Sequence, residues 1–103
     1  MRVNKFILVE RKDGSAELRL ACVENHCDML DKGEACLGGG LFEVNEERKQ
    51  VVMWEKSFDF GYPKFAERNV CLDDDYEGYD FYYVPDLFLP KDEEYRVSVE
   101  VIG

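Results

Sequence analysis

The sequence predicts one domain over residues 1–103, of the α/β (α+β) class: a mixed or antiparallel sheet of about six strands with two short helices packed on it. Three observations predict this. Val3–Glu10 and Ala16–Val23 are apolar-rich segments joined by Arg11-Lys12-Asp13-Gly14-Ser15, and Asp-Gly between two such segments is a hairpin signal. Residues 25–32 carry helix start and stop signals. The chain has 103 residues, 46% hydrophobic and 14% aromatic, which suffices for one core and is too apolar for a disordered chain.

In the first strand Val3, Ile7 and Val9 share one side and Phe6 and Leu8 the other, so the strand is expected at the centre of the sheet. Lys5 falls on the Val3 side. In the second strand Leu18, Leu20 and Cys22 alternate with Glu17 and Arg19, which predicts a half-buried antiparallel partner. Asn25 is a good helix N-cap, and Asp28 stands where a capping-box partner would, although it is shorter than the usual Glu. Lys32 in the last turn and Gly33 after it end this helix, and Met29 and Leu30 are its core contacts. Cys36-Leu37-Gly38-Gly39-Gly40 reads as a loop or tight turn needing unusual backbone freedom. Residues 41–44 and 50–55 form two strands joined by the charged hairpin loop 45–49. Pro63 suits the first position of a second helix, running to about Leu72 with Phe65, Ala66 and Val70 inward. It ends before Asp73-Asp74-Asp75, whose charges oppose a helix C-terminus. Asp80–Val84 and residues 94–102 supply two more strands, with Pro85 and Pro90 breaking the chain between them.

The formal net charge is −10, from 23 acidic and 13 basic residues. Such a surface repels nucleic acid and anionic membranes and favours basic proteins or small molecules as partners; it also keeps a small domain soluble. No segment approaches the ~20 apolar residues of a membrane span, and the N-terminal residues show no secretory pattern, so a cytoplasmic chain is expected. In that reducing setting Cys22, Cys27, Cys36 and Cys71 are expected as thiols. Cys22, His26, Cys27 and Cys36 lie close in sequence. They lack a Cys-x-x-Cys knuckle, and the adjacent His26 and Cys27 would project in different directions, so neither metal nor cofactor is expected.

His26 is the only histidine. In the first turn of a helix it would feel the positive end of the dipole, which keeps the ring neutral and basic near pH 7. The backbone N–H groups that open that helix, at His26 and Cys27 behind the Asn25 cap, are natural donors to a phosphate. The competing reading is a surface or capping histidine beside Asp28.

Three stretches together resemble the Janus family of protein phosphohistidine phosphatases. They are Asn4-Lys5-Phe6-Ile7-Leu8-Val9; His26-Cys27-Asp28-Met29-Leu30-Asp31-Lys32 followed by Cys36-Leu37-Gly38-Gly39-Gly40; and the strand through Trp54 ending in Ser57-Phe58-Asp59-Phe60-Gly61. The second is the specific one. Beyond Pro63 the likeness is architectural only. The segment from His26 to the glycines is shorter than in the animal enzymes, Asp59 replaces a small neutral residue, and the C-terminal strand is an extension.

The resemblance implies a hydrolase that cleaves the P–N bond of phosphohistidine, with phospholysine-type phosphoramidates in the same class. It implies His26 as the base, Lys5 as the substrate's counter-charge, and Ser57, Phe58 and Asp59 as the phosphate-contacting loop beside Asn25 and Cys27. A carboxylate at Asp59 about 4 Å from a phosphate charge would cost roughly 4 kcal/mol at an effective dielectric near 20, so it is expected to point away and offer its amide. The implied partner is a phosphohistidine-containing protein or a small phosphoramidate, met by a monomer or weak dimer. A non-catalytic phosphate- or protein-binding module on the same fold is the alternative. A third reading is a structural domain that associates through the aromatics of residues 76–88.

Overall fold

The computed structural model describes residues 2–57, 60–65, 68–85 and 95–102. The hairpin is as expected: β1 (Val3–Glu10) and β2 (Ala16–Val23) pair antiparallel over their whole length, Val3 against Val23 and Glu10 against Ala16. Gly14 takes φ +87 in the turn, and the Asp13 carboxylate accepts from the Ser15 amide (2.9 Å) and hydroxyl (2.5 Å). Six further strands follow: β3 (Cys36–Asn45), β4 (Gln50–Trp54), β5 (Val70–Leu72), β6 (Asp80–Val84), β7 (Arg96–Val97) and β8 (Val99–Val101). Their order in the sheet is β7-β6-β4-β3-β1-β2-β5-β8. Of the two forms expected, mixed or antiparallel, the sheet is the mixed one, with β4–β6, β2–β5 and β5–β8 parallel and the other pairs antiparallel.

The two edge strands, β7 and β8, are separated only by Ser98. One strand-like segment therefore completes both edges, and the sheet curls into a nearly closed barrel. Closure leaves few unpaired edge groups. The side chains of Phe6, Leu8, Ala16, Leu18, Phe42, Val51, Met53, Val70, Leu72 and Phe81 fill the interior. Central β1 is buried on both faces, with Phe6, Ile7 and Leu8 at 0% exposure. Phe81 is buried, and Tyr76, Tyr79 and Tyr83 pack against the core. These four aromatics pack on the barrel's core; residues 86–88 of the stretch read as an association surface lie outside the described residues.

Four expectations are corrected. The first helix is a single 3-10 turn, His26–Met29, ending at Leu30 in extended conformation. One turn returns little hydrogen bonding for the backbone it fixes, and Asp28 spends its carboxylate on the Asn25 N–H (3.0 Å). The second helix is absent among the described residues of 60–72; Ala66 lies outside them. Val70–Leu72 is a strand instead, buried throughout, because β2 and β8 satisfy its backbone on both sides. The Cys36–Gly40 stretch is the first half of β3 and not a loop. Among the described residues the strands number eight, and helix is reduced to one turn.

Candidate functional site

β1 and β3 pair antiparallel with Ile7 opposite Gly39, and β1 and β2 pair with Ile7 opposite Arg19. Gly39, Ile7 and Arg19 thus form a row across three strands on the outer face of the barrel. The 3-10 turn packs on β1 and β2 and carries His26 onto this row. A Cβ at Gly39 would lie 3.1 Å from His26 Cδ2 and 3.2 Å from Ile7 Cγ2, so the missing side chain makes the seat for the ring. His26 is only 7% exposed, and its Nε2 lies 2.8 Å from the Gly40 carbonyl oxygen. A carbonyl only accepts, so Nε2 carries a hydrogen, and whenever the ring is neutral its lone pair is on Nδ1. The expected dipole effect does not carry over, because one four-residue turn sums too few peptide units.

Lys5 lies on the same outer face, two residues before Ile7, and its ammonium donates to the carbonyl of Glu24, just ahead of the His26 turn. Asn25 and Cys27 flank the histidine and are exposed. The third stretch approaches the same glycines. Ser57 and Gly61 exchange backbone hydrogen bonds (3.1 and 2.9 Å), and Gly61 O also accepts from Gly39 N (3.2 Å). A Cβ at Gly38, which sits at φ +105, would lie 2.2 Å from Tyr62 O. Ser57 is 1% exposed, and its Oγ accepts from the Phe60 amide at 3.1 Å. Phe58 and Asp59 lie outside the described residues. The glycine run of β3 is therefore where His26 and the ends of the 57–61 loop meet, with Lys5 one strand away.

Sequence reasoning missed Arg19. Its guanidinium donates to both oxygens of Glu34 (2.6 Å each), to Met29 O (2.9 Å) and to Glu17 (2.7 Å). The Arg19 bond, with a further bond from the Asp31 amide, pulls the Glu34 carboxyl down to about 2 from 4.5. A carboxylate with a depressed folded-state pKa gives stability that is present above pH 4.5 and lost as pH falls from there through 2. Glu34→Gln should therefore flatten the acid limb of the stability curve in that window and leave the neutral limb's shape unchanged; urea midpoints against pH read this out. Only the alternation of Arg19 with Leu18 and Leu20 marked its face, and nothing local pointed to Glu34.

A cavity of about 460 Å3 is lined by Arg11, Ser15, Arg68, Asn69, Cys71 and Ser98 among others, and there Arg11 Nη1 donates to Cys71 Sγ at 2.8 Å. Among the described residues no three His, Cys, Asp or Glu side chains converge as metal ligands, and no helix is long and apolar enough to cross a membrane.

Comparison adds no relative. No family model, curated protein or solved structure matches this chain significantly. The functional reading therefore rests on the residues themselves.

Proposed function

We propose that this chain is a phosphohistidine phosphatase of the Janus type, a hydrolase of phosphoramidate P–N bonds that uses a histidine base and no metal. The observation that carries the reading is the bond from His26 Nε2–H to Gly40 O. It places a hydrogen on Nε2, so that in the neutral ring the nitrogen that can take a proton is Nδ1, as a general base requires. In this reading His26 takes a proton from water as the water attacks phosphorus in line with the departing nitrogen. Lys5 supplies positive charge for the phosphoryl oxygens, and the loop from Ser57 supplies neutral donors. The acidic surface of the chain suits a substrate protein that is basic around its phosphohistidine.

One observation favours the alternative of a non-catalytic module: His26 and Ser57 are both buried, at 7% and 1% exposure. One experiment separates the two. Purified protein is given a chemically phosphorylated histidine peptide in excess chelator, and phosphate release is followed beside peptide binding. Release above background supports the phosphatase. Binding without release supports the module. Neither release nor binding overturns both.

A further inference from the structure

We infer that Arg19 and Glu34 form a clamp that positions the His26 turn on the barrel. For its effect on turnover this rests on the proposed role of His26; its structural content does not. Arg19 stands opposite Ile7, which in turn faces Gly39, so its side chain starts from the row on which His26 sits. One Arg19 Nη1 holds Met29 O, the last residue of the His26 turn, and also Glu34 Oε1, while Nη2 holds Glu34 Oε2. Glu34 in turn accepts from the Asp31 amide at 2.7 Å, and Glu34 N donates to Asp31 O at 3.1 Å. One guanidinium thereby ties the end of the turn to the connection that leads into β3 and its glycines.

An isolated surface ion pair contributes little. This one differs in kind. It is two-pronged, its partners are about three-quarters buried, and it adds a backbone carbonyl. The turn has only four residues and no long helix to stiffen it, so its placement depends on tertiary contacts. Arg19 is thus a positioning residue. It acts on His26 through the backbone of the turn.

Because His26 is the only histidine, its ring signals in an NMR spectrum are identified without assignment. In the wild type the Nε2–H proton, bonded to Gly40 O, should be observable and slow to exchange. In Arg19→Met it should exchange about tenfold faster or vanish, with displaced ring carbon-bound proton signals. Arg19→Lys should fall between, because a single ammonium cannot serve both Glu34 oxygens and Met29 O. Glu17→Gln removes a contact of the same arginine on its own strand and should leave the ring unmoved. Unchanged ring signals in a folded Arg19→Met protein overturn the inference. If Arg19→Met does not fold, Glu34→Gln decides: ring signals that move as described support the clamp, and unmoved signals overturn it. A wild type that releases no phosphate but shows these ring responses would defeat the phosphatase reading and leave the clamp standing.

Discussion

His26→Gln is expected to lower phosphate release from a phosphohistidine peptide by about a hundredfold or more while the protein stays folded. The size follows from what a positioned base contributes to a proton-transfer step. The choice of glutamine follows from the site. The Gly40 carbonyl accepts from His26, a residue only 7% exposed, and removing the donor would leave a buried acceptor unmade at a cost of about 1–3 kcal/mol. A glutamine amide keeps an N–H for that carbonyl and has no basic nitrogen. Thermal unfolding of the variant near the wild-type value, with release reduced to background, assigns the loss to chemistry. Release at the wild-type rate would remove His26 from the mechanism.

Gly39→Ala is expected to destabilise the domain by about 3 kcal/mol or more, a large part of the ~5–15 kcal/mol that holds a domain together. The added Cβ would lie 2.3 Å from the Phe6 carbonyl oxygen, and real Cβ atoms do not approach backbone that closely. The obstacle cannot swing aside, because Phe6 lies on central β1 and is fully buried. The same methyl would also press on His26 Cδ2 at 3.1 Å. Gly78→Ala is the contrast: it has open space around its Cβ and only a left-handed backbone, φ +83, to strain, so about 1–2 kcal/mol is expected. The ordering of the two urea midpoints checks the argument. If Gly39→Ala were no worse than Gly78→Ala, the close strand approach at Gly39 would be wrong.

Much of the fold was legible locally. A period of two over Val3–Glu10, Ala16–Val23 and Asp80–Val84, punctuated by Asp-Gly and proline, marks strands whatever they pair with. The errors share one cause. Phe65, Ala66 and Val70 space apolar groups compatibly with a helix, and only β2 and β8 flanking Val70–Leu72 make the extended form the better bonded one. The signals at Asn25, Asp28 and Gly33 mark a chain reversal correctly, but they say nothing of how many turns the reversal holds.

The sequence by itself determined the hairpin, a sheet-based fold and the acidic charge balance, since these are written in short-range pattern and residue chemistry, whereas Lys5, His26, Gly38–Gly40 and Ser57 were expected together only from the family resemblance. Only the tertiary structure decided that Ser98 splits the last segment between two edges of one barrel, that the glycines are a strand bearing a seat for an imidazole, and that Arg19 reaches Met29 and Glu34. Each of these depends on groups far apart in the chain. The pairing of such groups is set by which packing buries the most apolar surface and leaves the fewest polar atoms unbonded, a property of the whole fold and of no single segment.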